Sequence, residues 1–253
     1  MNFALIEKTF VYDAILDSDK DLPADATSIV VNGVLRGCDK LISQANARGI
    51  PWIYIDNGYF GKKLRVSVNE TSPTTQIDCG RAFDHATDFE PWRGTTGDHI
   101  LILPPSIPYM NTFGLTGFLN ASLHNLNRVT GRDTLVRVKP LYGSTLKKRP
   151  LEAHLENAYL AVTWGSAVAL EALKKGIPTI SSGWCPAKPA GFSIEDIETR
   201  KFATEPDRQS LFDSLTWFTF DEGDHMRGKE FNDAFGQAYG AINGLTFPIF
   251  KEA

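Results

Sequence analysis

Short apolar runs recur along the chain, and most are followed by a stretch with helical spacing. TSIVVNGV (27–34), IPWIYID (50–56), DHILILPPS (98–106), AYLAVTW (158–164) and PTIS (178–181) are β-rich and bounded by Gly, Pro, Asn or Asp, the signature of strands buried on both faces. DTLVRVKP (133–140) reads as a further strand in which Arg137 and Lys139 alternate with Val136 and Val138. Between them, LRGCDKLISQANARG (35–49), TGFLNASLHNLNRVTG (116–131), LEAHLEN (151–157) and AVALEALKK (167–175) read as helices, with Gly49, Gly131 and Gly176 as stop signals. NFALIEKTF (2–10) reads as an opening strand, 70–97 as a long irregular excursion, and 207–218 and 222–243 as closing helices. Strand–helix–strand order predicts an α/β protein with parallel, helix-covered sheets. The pattern divides into two Rossmann-like halves, 1–112 and 113–253, with the C-terminal segment free to cross back.

The organising stretch is 158–183: a buried strand, a Gly165-Ser166 turn, a helix that Ser166 would cap, and a second buried strand. Such a unit aims a helix N-terminus beyond the first strand's carboxyl end, where free N–H groups would receive an anion. Asp56 closes its own strand at the equivalent place, where open α/β sheets hold ligands. A carboxylate there serves either as a general base or as a turn cap.

Composition narrows the choice of function. The chain has 253 residues, 42% of them apolar, with formal net charge −4 and a pI near 5.8. That balance speaks against a protein held on nucleic acid by global charge. Cys38, Cys79 and Cys185 are odd in number and far apart, which argues against a disulfide framework or a cysteine zinc site and for a reducing, cytoplasmic setting. No apolar run of membrane-spanning length occurs, so no integral membrane association is expected. Phosphate-loop, GxGxxG, GxSxG and HExxH motifs are absent. The histidines (His85, His99, His124, His154, His225) form no close pair. Asp17-Ser18-Asp19 has metal-motif spacing, but a calcium loop would need Gly where Leu22 stands and Glu where Ser28 stands.

A family resemblance joins these pieces. GIPWIYIDNGYFGKKLRVSVN (49–69), RVKP (137–140), WGSAVALEALKKGIPTISSG (164–183) and LFDSLTWFTFDEGDHMRGK (211–229) together resemble the capsular-polysaccharide synthesis proteins, which include bacterial Kdo transferases. The likeness is discontinuous and covers roughly half of the chain; Lys139-Pro140 stands where the family has His-Pro. It implies a shortened GT-B arrangement, two Rossmann-like halves with a nucleotide sugar bound mainly by the second, and no metal or other cofactor. By the same resemblance Gly165 and Ser166 would meet donor phosphates, Glu171 the ribose, and Arg137 and Lys139 the charge on the leaving nucleotide. Asp56 would deprotonate the acceptor hydroxyl. The expected activity is a metal-independent glycosyl transfer from a nucleotide sugar to a polysaccharide. A hydroxymethylated DNA base is the other acceptor, if Lys62, Lys63, Arg65 and 147–149 line one face. A nucleotide-sugar epimerase or hydrolase, or a non-catalytic nucleotide- or sugar-binding module, are the competing readings.

Overall fold

The computed structural model describes residues 21–24, 26, 29–34, 37–60, 63–72, 74, 89–93, 96–139, 150–191, 193–198, 208–217 and 219–221. The opening strand (2–10), the last helix (222–243) and Asp17-Ser18-Asp19 lie outside them. The chain divides into two compact units, Met1–Thr71 with Leu215–Ala253, and Ser72–Ser214. This corrects the boundary at 112: the strand at 99–103 pairs with those at 133–136 and 158–163 and therefore belongs to the second sheet. The C-terminal segment does cross back, and the described part of its return is a strand at 219–221.

In the first unit β1 (Ile29–Asn32), α1 (Cys38–Arg48) and β2 (Trp52–Asn57) form the expected strand–helix–strand, with β1 and β2 parallel. Cys38, Ile42 and Ala45 turn one face of α1 inward. The helix ends at Gly49, whose φ of 65° lets its N–H reach the Ala45 and Asn46 carbonyls. In its last turn Arg48 donates to the Leu22, Pro23 and Ala24 carbonyls, pinning the polar segment beside the helix. The sheet then departs from a Rossmann-like half. β3 (Lys63–Val68) runs antiparallel to β2, and β8 (Thr219–Asp221) runs antiparallel to β3, giving the order β1-β2-β3-β8. A mixed sheet replaces the expected parallel one because only a short turn joins β2 to β3, too short for a parallel crossover.

The second unit holds a four-stranded sheet in which every pair is parallel: β4 (His99–Leu103), β5 (Asp133–Val136), β6 (Ala158–Thr163) and β7 (Thr179–Ser181), in the order β5-β4-β6-β7. All six residues of β6 are buried. Alternate residues of β4 feed opposite faces. Ile100 and Ile102 meet Leu119, Leu123 and Leu126 of α3 (Phe118–Val129), whereas Leu101 and Leu103 meet Leu155 of α4 (Leu151–Leu155) and Ala172 of α5 (Val168–Lys174). Helices thus cover both faces, and each inaccessible Ile or Leu contributes ~1.5–3 kcal/mol. The expected loop after β4 contains a short helix, α2 (Ile107–Thr112), which follows Pro104-Pro105 and begins with Pro108 in its first turn.

Residues 89–93 lie along the C-terminal end of α5. Glu90 N–H donates to Lys174 O and Arg93 N–H to Gly176 O. The Arg93 guanidinium donates to Lys175 O, Leu155 O and Glu156 O, closing the last carbonyls of α4 and α5 together. The last helix of the described residues, α6 (Arg208–Trp217), sets Phe212 edge-on to Phe89 with ring centres 5.0 Å apart.

Candidate functional site

The order β5-β4-β6-β7 has a topological switch point. The chain leaves β4 for β5 on one side and then crosses to β6 on the other. In open α/β sheets the crevice outside the carboxyl ends at such a point takes the ligand. The loops reaching this edge are 104–113 after β4, 137–139 after β5, 164–167 after β6 and 182–187 after β7.

Several of the residues singled out by sequence meet here. Arg137 follows β5, its N–H bonded to Ile102 O at 2.9 Å. Its half-buried side chain and the exposed Lys139 have no hydrogen-bond or ion-pair partner among the described residues. Gly165 and Ser166 follow β6. β5 and β6 flank β4, so Arg137 and Ser166 stand two strand spacings apart, ~10 Å. Glu171 lies one turn into α5, half-exposed, with an oxygen 3.6 Å from Lys174 Nζ.

The turn at Ser166 differs from the open anion cradle the pattern suggests. Ser166 N–H donates to Thr163 Oγ1 at 3.1 Å and Val168 N–H to Ser166 Oγ at 3.3 Å. Ala169 N–H and Leu170 N–H turn back to the Ser166 and Ala167 carbonyls. The tight first turn and its two hydroxyls therefore consume N–H groups that a phosphate would otherwise receive. The N-cap position falls on Ala167 rather than on Ser166, which lies one residue before it and whose hydroxyl accepts the Val168 N–H. Its hydroxyl proton remains to donate. Thr163 Oγ1 also donates to Leu103 O at 2.8 Å, tying the ends of β4 and β6 across the switch point.

Sequence reading overlooked the aromatic side chains at this edge. Tyr109 and Phe113 come from the β4 loop, Trp164 from the end of β6 and Trp184 from the β7 loop, and all four are half-buried. Trp164 is the hub: ring centres lie 5.6 Å away at Tyr109, 6.3 Å at Phe113 and 5.6 Å at Trp184. Two glycines permit the assembly. A Cβ on Gly183 would sit 2.1 Å from Trp164 Cε2, and one on Gly165 would sit 2.6 Å from the Trp184 carbonyl oxygen. Gly183 N–H donates to Trp164 O at 2.9 Å. The signal was present as mirrored dipeptides, Trp164-Gly165 and Gly183-Trp184, at the ends of adjacent strands. Ile107 and Val138, exposed large apolar residues, lie on the loops after β4 and β5.

Cys185 is buried just beyond Trp184, with its Sγ 3.8 Å from Ser166 O. Burial pushes its thiol up to about 11, against smaller opposing contributions from Ala187 N–H, Ser181 and Lys188. It is a packing residue rather than a nucleophile.

Asp56 belongs to the first unit, inside β2 rather than beyond its end. Its Oδ2 accepts from Tyr54 OH at 2.8 Å and from Arg65 Nη2 at 3.1 Å, and its Oδ1 accepts from Asn57 N–H at 2.7 Å. A carboxylate offers about four acceptor positions, so one on Oδ1 is left. Arg65 is held in place as well: it donates to Asn57 O and Thr71 O in addition to Asp56 and lies 5.1 Å from the Tyr59 ring centre. Lys62 and 147–149 lie outside the described residues, and so does the side chain of Lys63. Among the described residues no His, Cys, Asp and Glu side chains cluster as metal ligands, and no helix is long and apolar enough to cross a membrane.

No protein-family model matches the chain, and no curated protein matches it. Among solved structures it is similar to KpsC of Thermosulfurimonas dismutans, a beta Kdo 2,4 transferase, at 15% identity over 76% of this chain and 80% of that one, with a TM-score of 0.42. A likeness at that level carries neither fold nor activity to this chain.

Proposed function

We propose that the chain is a glycosyltransferase that binds a nucleotide sugar at the carboxyl edge of its parallel sheet. The observation that carries this reading is a pair of cations without a partner among the described residues, Arg137 and Lys139, beside a topological switch point that also presents Ser166. In the proposed reaction an acceptor hydroxyl oxygen bonds to the anomeric carbon while the bond from that carbon to the phosphate oxygen breaks. The electron pair leaves with the nucleotide, whose growing negative charge Arg137 and Lys139 offset and whose phosphate Ser166 Oγ–H meets. Cations supplied by the protein take the place of a metal here. Glu171, one turn along α5, is assigned to the ribose hydroxyls. Asp56 is the first unit's candidate general base, with one Oδ1 position left to take a proton. With Arg65 held by Asp56 and backbone carbonyls, a saccharide hydroxyl is the preferred acceptor over a DNA base.

The test begins with thermal melting of the wild-type chain against CMP, UDP, GDP and their sugar conjugates. A ligand at 100 times its Kd adds about 2.7 kcal/mol of stability. Arg137→Gln should remove that shift, and Asp56→Asn should keep it while lowering turnover by at least tenfold. A wild-type chain that no nucleotide stabilises sinks the reading; full turnover by Asp56→Asn places the base elsewhere.

A further inference from the structure

We infer that the rings of Tyr109, Phe113, Trp164 and Trp184 form the platform against which the nucleobase of the nucleotide stacks, with its phosphate directed to Arg137. The inference rests on the glycosyl-transfer reading above and names the part of that ligand which this surface takes. Three observations carry it.

First, the rings converge from three loops separated in sequence, all ending at the carboxyl edge where the switch point lies. Second, none of the four is a member of the two buried clusters described around the sheet. Each ring stays half-buried, which leaves aromatic surface in reach of solvent. A set of rings serving only the core would be covered. Third, the backbone is shaped around them: Gly165 and Gly183 sit where any side chain would collide with the Trp184 carbonyl or the Trp164 ring. The platform is therefore preassembled, and a ligand ring need not order it.

Charge favours a nucleotide over a neutral saccharide. Arg137 and Lys139 follow β5, and Trp184 follows β7, three strand spacings or ~14 Å along the same edge. A ligand that meets both needs an anionic group and a planar ring held apart by a spacer, with the protein side chains covering part of the distance, and a nucleoside phosphate has that build. Stacking is tolerant of base identity because every base has a π-face.

The experiment measures binding at equilibrium, without turnover. CMP, UMP, GMP, AMP and ribose 5-phosphate are titrated by calorimetry into the wild-type chain, Trp184→Leu, Trp184→Phe and Arg137→Gln. At least one nucleotide should bind the wild type roughly 5- to 150-fold tighter than ribose 5-phosphate, the range that loss of one stacked base implies. Trp184→Leu should erase that advantage while leaving ribose 5-phosphate unchanged, Trp184→Phe should keep most of it, and Arg137→Gln should weaken both ligands. Should Trp184→Leu fail to fold by circular dichroism, Tyr109→Leu, from a different loop, replaces it with the same expectation. A nucleotide preference that survives both leucine variants overturns the platform and leaves the glycosyl-transfer reading standing. Equal binding of nucleotides and ribose 5-phosphate does the same. A wild-type chain that binds none of the nucleotides removes both.

Discussion

Gly183→Ala isolates the contact on which the aromatic assembly depends. The new Cβ would lie 2.1, 2.2 and 2.6 Å from Cε2, Cδ2 and Cζ2 of Trp164. Carbon atoms rest at about 3.5–4.0 Å, so the indole must retreat by roughly 1.4 Å. Retreat is obstructed by Tyr109 and Trp184, each with a ring centre 5.6 Å from that of Trp164. Overpacking of this kind costs about 1–3 kcal/mol, and each disturbed aromatic pair adds about 0.5–1.5. Alanine recovers about 0.4–1 kcal/mol by restricting the unfolded chain, since Gly183 is not held at a positive φ. The balance is a loss of about 3 kcal/mol, or ~6–12 °C in Tm for a unit of this size. Urea unfolding of wild type, Gly183→Ala, Trp164→Ala and the double variant measures it. With the indole gone the second alanine has nothing to strike, so Gly183→Ala should be neutral or slightly stabilising in the Trp164→Ala background. An equal cost in both backgrounds would show that the ring collision is not the cause.

Two further predictions concern the frame around this edge. Arg93→Met keeps the stem but removes the guanidinium that closes the ends of α4 and α5. It should cost about 2–4 kcal/mol in urea unfolding, and a loss under 0.5 would mean that water satisfies those carbonyls equally well. Cys185, raised to about 11 in the folded chain from an ordinary thiol value near 9, favours the folded state as a neutral thiol. That contribution is fully present below about pH 9 and is lost as pH rises towards 11, so wild type should lose stability relative to Cys185→Ala across that window. At pH 8 the thiol should resist iodoacetamide until urea unfolds the chain; rapid labelling of the native protein at Cys185 would contradict its burial.

The second unit was largely legible because its strands are buried on both faces and so appear as unbroken apolar runs. HILIL and AYLAVT carry no residue that must face water, and helical spacing follows each. The first unit was read correctly only as far as its parallel pair. β3, KLRVSV, alternates polar and apolar residues, and its antiparallel pairing with β8 joins Lys63 to Asp221, residues remote in sequence. No local pattern announces such a pairing, and the same pairing carries the C-terminal segment back to the first unit. Boundaries near 112 failed for a related reason: β4 precedes a long loop that looks like a linker, yet it lies between β5 and β6 in the second sheet.

The site was half-legible, and the missing half changes its chemistry. Sequence placed Ser166 just beyond a buried strand, but it ran the strand at 133 on to 140, whereas β5 stops at Val136 and Arg137 and Lys139 follow it. It also suggested that α5 would present free N–H groups to a phosphate. That required an open first turn, whereas Thr163 Oγ1, Ser166 Oγ and the Ser166 and Ala167 carbonyls already bind the N–H groups of Ser166, Val168, Ala169 and Leu170. A turn that satisfies itself is rigid, and its rigidity has a use of its own. It fixes Trp164 and Gly165 against Gly183 and Trp184, so the loops after β6 and β7 hold the rings in place without a ligand. Among the described residues, the cations without a partner at this edge are Arg137 and Lys139 at one end, and the half-buried aromatic rings lie at the other. Recognition at such an edge depends on a cation and a ring platform set several strands apart, which is why Trp184→Leu and Arg137→Gln are expected to weaken different parts of the same ligand.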